Sequence, residues 1–216
     1  MQDQIREPRG LCLNCRQPIP TCFCKQIEAF DPAIKFAILI HGIEARKRLS
    51  TGRLSHLILS GSELIKGYNY TLNKRVNDLI ADPEFFPTVL YPGALSRNLS
   101  RDSIEDRAKI LPLGKKLLVF VIDGTWTTAR KTIQRSQNLA KLPRITFDLP
   151  RPSRFRVRRQ PGETCYATIE AIHETIELMG VACGFATETR QHDRLLERFD
   201  YMVEEQLGME ARARSI

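Results

Sequence analysis

Residues 119–131 read VFVIDGTWTTARK, and they place the only tryptophan of the chain, Trp126, three positions after a carboxylate, Asp123. The four apolar residues before Asp123 have the character of a buried strand, so the acid stands at the strand's exit. A carboxylate partly desolvated beside an indole is suited to general-base chemistry. Gly124 allows a sharp turn, and Thr125 or Thr127 can cap a helix that follows. Taken alone, the same corner also reads as a helix-capping aspartate with a core tryptophan behind it.

A second group is the run CLNCRQPIPTCFC, with Cys12 and Cys15 in a C-x2-C pair and Cys22 and Cys24 in a C-x-C pair. Two such thiolate pairs can converge on one tetrahedral ion, which points to a structural zinc site. Disulfides are the other reading, and a cytoplasmic setting argues against them. That setting is the default expectation for a polar start, MQDQIREPRG, with no apolar leader. Cys165 and Cys183 stand apart and are expected to be buried small hydrophobes.

The elements that must position these groups alternate along the chain. Residues 33–41, 88–93, 116–123 and 144–149 read as strands. Residues 50–64, 100–111, 127–142, 164–183 and 194–207 read as helices, with a short one near VNDLIAD. In 164–183, Ile169, Ile172, Ile176 and Met179 fall on one helix face. Strands separated by helices predict an α/β fold with a mainly parallel sheet. In such sheets ligands bind at the carboxyl ends of strands, where Asp123 stands. The expected boundary lies near residue 30, giving a metal-binding segment over 1–30 and the α/β part over 31–216. No apolar run is long enough to span a bilayer, so no membrane role is expected.

The formal net charge is +8, with 33 Lys and Arg against 25 Asp and Glu. A basic balance favours polyanionic partners. The stretch RPSRFRVRR, residues 151–159, holds five arginines around Phe155, and EARKRLSTGR, residues 44–53, adds four cations. Both read as solvated loops or as phosphate-contacting segments.

These features occur together in an order that resembles the DTW-domain family. The aspartate, threonine and tryptophan of its motif stand here as Asp123, Thr125 and Trp126. Its cysteine pairs appear at Cys12, Cys15, Cys22 and Cys24. Its Ser-x-aromatic-x-x-Arg element appears at Ser153, Phe155 and Arg158, and its Thr-x-Glu-Ala element at Thr168, Glu170 and Ala171. Thr51, Gly52, Arg53 and Leu54 match its Asn-Thr-Gly-Arg-Leu element, with Ser50 in place of asparagine. Glycine replaces proline in HGIE, residues 41–44, and phenylalanine replaces tyrosine at 155.

The resemblance implies a tRNA-uridine aminocarboxypropyltransferase that moves the 3-amino-3-carboxypropyl group of S-adenosylmethionine to N3 of a uridine. It implies a SPOUT-like fold with a trefoil-knotted C-terminal part. It assigns catalysis to Asp123, Thr125 and Trp126, with Asp123 taking the N3 proton or positioning the base. Donor binding falls to Arg53, Gly124, Ser153, Arg158, Thr168 and Glu170, with Arg53 or Arg158 holding the donor carboxylate. Contact with tRNA falls to Arg130, Lys131, Arg151, Arg154, Arg156 and Arg159. Monomer and homodimer are both compatible. Two other readings remain: an RNA methyltransferase of the same fold, separated by its adenosylhomocysteine by-product, and a zinc-stabilised RNA-binding module without catalysis.

Overall fold

The computed structural model describes residues 10–157 and 166–214. Arg158, Arg159 and Cys165 lie outside the described residues. Six strands form one parallel sheet: β1 (Lys35–His41), β2 (Glu63–Gly67), β3 (Phe85–Leu90), β4 (Arg97–Asn98), β5 (Lys116–Asp123) and β6 (Arg144–Thr146). They lie in the order β2-β1-β5-β3-β6-β4, and every pairing is parallel.

Seven α-helices cover the described sheet: α1 (Thr51–Ile58), α2 (Lys74–Ala81), α3 (Ile104–Ala108), α4 (Trp126–Arg135), α5 (Gln137–Ala140), α6 (Thr168–Met179) and α7 (Asp193–Arg214). Both sheet faces are covered, which is why β1 and β5 are apolar without interruption. Successive side chains of a strand point to opposite faces. Phe36 and Ile38 of β1, with Leu117, Val119 and Val121 of β5, therefore join one core with α1, α6 and α7. Ala37 and Leu39, with Leu118 and Phe120, join a second core with α2, α4 and α5.

Several boundaries differ from the sequence reading, with β3 over Phe85–Leu90, β6 ending at Thr146, α3 confined to Ile104–Ala108 and α6 to Thr168–Met179, and two further differences have a clear local cause. The helix expected over 50–64 stops at Ile58, because Leu59 is extended and Gly61 turns the chain at φ +69° into β2. The helix expected over 127–142 breaks at Ser136, whose buried hydroxyl accepts the Tyr70 N–H at 3.0 Å.

The cysteine segment packs into the first core. Cys15 and Phe23 are each 3% exposed, and Phe23 meets Tyr201 of α7 edge-on at 6.3 Å. The Gln17 amide donates to the Arg48 carbonyl at 3.2 Å, just before α1. No helix among the described residues is long and apolar enough to cross a membrane.

Candidate active site

Asp123 ends β5 and is 5% exposed. Its carboxylate is gripped from two helices. The Thr168 hydroxyl, first residue of α6, donates to Oδ1 at 2.6 Å. The Ser50 hydroxyl donates to Oδ2 at 3.3 Å. Ser50 is also the N-cap of α1, accepting the Arg53 N–H at 3.2 Å. The Gly52 backbone also lies against this carboxylate and favours its charged form. One carboxylate thus ties the starts of α1 and α6 to the end of the central strand. Burial pushes its pKa upward and the nearby Glu44 carboxylate adds to this, while Thr168, Ser50 and Gly52 pull it down.

Gly52 is required by this close approach. A β-carbon there would sit 2.6 Å from the Asp123 carboxyl carbon. A β-carbon on Gly124 would sit 2.5 Å from the Thr128 hydroxyl, inside the turn into α4. Thr125 caps α4, its hydroxyl accepting the Thr128 N–H at 3.2 Å.

Asp123 opens onto a cavity of about 670 Å³ at the carboxyl ends of β5, β3 and β6. Its size suits a nucleoside-sized ligand. Asp123 is the only ionisable acid or base of ordinary pH range among the described lining residues, none of which is a lysine, arginine or histidine. Trp126 and Tyr91 form one aromatic pair on its wall, 6.3 Å apart, and Phe147 and Tyr166 form another at 6.1 Å. Trp126 is 41% exposed, so it is not the core residue that packing alone would suggest. A single buried carboxylate among aromatic faces is electrostatically complementary to a cationic ligand.

Glu170 lies behind the wall. It accepts the Ser153 hydroxyl at 2.6 Å, the Arg154 N–H at 2.7 Å and the Ala167 N–H at 2.8 Å, fastening the 153–155 loop to the start of α6. This seats Phe155 in the cavity wall against Phe199 of α7, with ring centroids 5.3 Å apart.

Arg53 is placed elsewhere. Its guanidinium donates to the Ala45 carbonyl, on the side of α1 that faces Cys15, and it is not among the cavity-lining residues. Burial lowers its pKa. Arg154 and Arg156 pair with Asp200, at 2.7 Å, and Glu204 of α7. Arg151, Arg130 and Lys131 are exposed.

The four cysteine sulfurs all lie within 4.8 Å of one another, and the Cys12–Cys24 and Cys15–Cys22 pairs are each 3.7 Å apart. A tetrahedron of sulfurs at ~2.3 Å from zinc has edges of about 3.8 Å. None of the four forms a disulfide. The first pair is built as a knuckle, with Arg16 at φ 60° and the Cys12 N–H donating to the Gln17 carbonyl at 2.8 Å. Backbone N–H groups of Cys15 and Asn14 aim at the Cys12 sulfur and pull its pKa down to about 6 against the effect of burial. The cluster could hold a metal ion. Cys183, by contrast, is an isolated thiol pushed up to about 12 by burial.

Four residues of this arrangement were not singled out as site residues by sequence: Ser50, Gly52, Tyr91 and Tyr166. Ser50 and Gly52 carry a local signal, since they flank the start of a helix that must approach a strand end. Tyr91 follows the apolar run of β3 as Asp123 ends that of β5. Tyr166 has no comparable signal.

The fold and the cavity define an α/β protein with a ligand crevice at the carboxyl ends of parallel strands, backed by a four-cysteine cluster. Residues 9–207 match the DTW domain, and the chain belongs to that family. It is 26% identical over 178 residues to tRNA-uridine aminocarboxypropyltransferase 2 of Drosophila melanogaster, covering 79% of this chain and 67% of the relative. No solved structure matches.

Proposed function

We propose that this protein is a tRNA-uridine aminocarboxypropyltransferase that uses S-adenosylmethionine as donor, in the cytoplasm. Family membership and the named relative support the reaction class. The observation that carries the site is the cavity itself: one buried carboxylate, Asp123, among aromatic walls and without a basic side chain among its described lining. A sulfonium donor is a cation, and such a cavity stabilises it by charge and by ring faces.

In the proposed step, the Asp123 carboxylate takes the uridine N3 proton, or positions the water that takes it, and N3 attacks the γ-carbon of the donor's methionine chain. The C–S bond breaks, and sulfur leaves as the neutral thioether of methylthioadenosine. Asp123 is held in position by Thr168 and Ser50, which use two of the roughly four acceptor sites of a carboxylate. Trp126, exposed at the mouth, offers a face to an incoming base. Gly124 and Thr125 set its position through the tight start of α4. Thr168 and Glu170 hold α6, and Glu170 with Ser153 holds the adjoining loop.

Exposed Arg151, Arg130 and Lys131 are proposed to meet tRNA phosphates, together with Arg154 and Arg156 once released from their surface ion pairs. Such pairs are weak enough to exchange for phosphate. The cysteine cluster is proposed to hold zinc within a 1–30 metal-binding segment, as a structural ion. The same reading carries a SPOUT-like knotted arrangement in the C-terminal part, supported by family membership and by the wholly parallel sheet.

The test is a dual-label assay. Unmodified tRNA is incubated with donor labelled either in its methyl group or in its aminocarboxypropyl chain. The expected result is chain label in RNA, methylthioadenosine released, and loss of both with Asp123→Ala. Methyl label in RNA with adenosylhomocysteine overturns the reaction.

A further inference from the structure

Arg144 opens β6 and is not among the residues that line the cavity. It stands directly behind one that does. Its guanidinium lies over the ring of Tyr91, 5.7 Å from the centroid, and Tyr91 lines the cavity and pairs with Trp126 at 6.3 Å. Thr146, two residues further along β6 and so on the same sheet face, is also a lining residue. The turn after β3 closes on the same arginine. The Ser96 hydroxyl donates to the Tyr91 carbonyl at 2.9 Å, and a β-carbon on Gly93 would stand 3.3 Å from Arg144 Nη1. The guanidinium is thus seated between an aromatic face and a turn, and it bonds no carboxylate among the described residues. Arginines at the adjoining sheet edge differ: Arg97 is taken by Asp102 at 2.6 Å and Arg101 by Asp148 at 3.3 Å. A guanidinium carries five N–H donors, and lying over a ring uses none of them.

Arg130 follows Trp126 by one turn of α4, so the two share a helix face, and both are exposed. Arg130 likewise pairs with no carboxylate among the described residues. Free cations and ring faces therefore form a connected series, Arg144, Tyr91, Trp126 and Arg130, beginning at the cavity rim. Such a combination suits a single nucleic-acid strand, whose phosphates meet the cations and whose bases meet the rings. We propose that Arg144 binds a phosphate of the RNA strand beside the target nucleotide, so that the strand reaches the cavity over Tyr91 and Trp126. This rests on the function proposed above and adds the route by which the substrate enters. Arg154 and Arg156 must first leave Asp200 and Glu204, whereas Arg144 has its donors ready.

Arg144→Gln and Arg144→Lys are compared with the parent full chain for binding of unmodified tRNA over a salt series and for binding of S-adenosylmethionine. Arg144→Gln should weaken tRNA binding at low salt about three- to tenfold and reduce the slope of log affinity against log salt by roughly 0.7–1. Arg144→Lys keeps the charge and should keep the parent slope. Donor affinity, which reports an intact cavity, should hold in both. A parent slope in Arg144→Gln overturns the proposal, and so does an equal loss of slope in Arg144→Lys. A fall in donor affinity also overturns it, because Arg144 would then serve the donor or the packing of Tyr91. A parent that binds no tRNA overturns the function proposed above and this route with it. A parent that modifies tRNA while Arg144→Gln keeps its slope overturns the route alone.

Discussion

Replacing Gly52 by alanine puts a methyl group where the Asp123 side chain already is. The new carbon would lie 2.6 Å from both the carboxyl carbon and Oδ2 and 2.8 Å from the Asp123 β-carbon, whereas ordinary contact begins at 3.4 Å. Relief therefore needs a displacement of about 0.8 Å. The carboxylate cannot supply it freely, because Thr168 holds one oxygen at 2.6 Å and Ser50 the other at 3.3 Å. Overpacking of this kind costs about 1–3 kcal/mol. Stretching a charge-assisted hydrogen bond adds a comparable amount. Against this, alanine is the better helix former by up to ~1 kcal/mol, and Gly52 is the second residue of α1. A net loss of about 2 kcal/mol remains, which lowers the melting temperature of a chain this size by roughly 4–8 °C. The assay is denaturant and thermal unfolding of Gly52→Ala, Asp123→Ala and the double variant. Asp123→Ala removes the two shortest contacts and frees the remaining carbon to move. Gly52→Ala should then cost little, giving a coupling of about 1–2 kcal/mol. A Gly52→Ala protein as stable as the parent, or an uncoupled cycle, refutes the three-way bracket on Asp123.

Three further outcomes are expected. Purified protein should carry one zinc per chain by elemental analysis, and Cys12→Ser or a strong chelator should remove it and lower the melting temperature by several degrees. An intact metal-free protein of unchanged stability would contradict the cluster's structural role. Asp200→Asn releases Arg154 and should raise tRNA affinity about two- to fivefold at low salt, with a steeper loss on adding salt; unchanged affinity removes Arg154 from the RNA surface. His173 is buried and bonds Asp193 at 2.9 Å. Burial lowers its pKa, although Asp193 opposes this. The unfolded chain then binds the proton more tightly than the fold does. Stability should therefore rise with pH through the window below ~6.5 and be fully present above it. The slope of stability against pH in that window, not its level, should flatten in His173→Gln, and an unaltered slope contradicts the assignment.

Much of the frame was legible because its signals are local. The run ending at Asp123 is apolar on both strand faces, which only a strand covered on both sides requires. Helix α6 showed its buried stripe, and the cysteine cluster showed ligand spacing within thirteen residues. Strand β2 was lost because its approach, LILSGSEL, continues an apolar helical spacing, and only the turn at Gly61 ends it. Strand β4, at two residues, carries no periodicity. The site's organising contacts were not legible, because Ser50 and Thr168 lie 73 and 45 positions from Asp123 in sequence. Arg53 illustrates the same gap: its charge suggested a carboxylate clamp, while the helix it sits on turns it toward the cysteines. For Trp126, composition favoured packing, and the end of β5 instead places it at the mouth of a cavity.

The most direct measurement is a crystal structure of the full chain grown with saturating S-adenosylmethionine or methylthioadenosine. Density for the sulfur inside the cavity, between Trp126 and Thr168 and near the Asp123 carboxylate, is the expected result. The same ligand bound on another face, or an empty cavity at saturation, would contradict the assignment of this crevice as the place where donor and uridine meet.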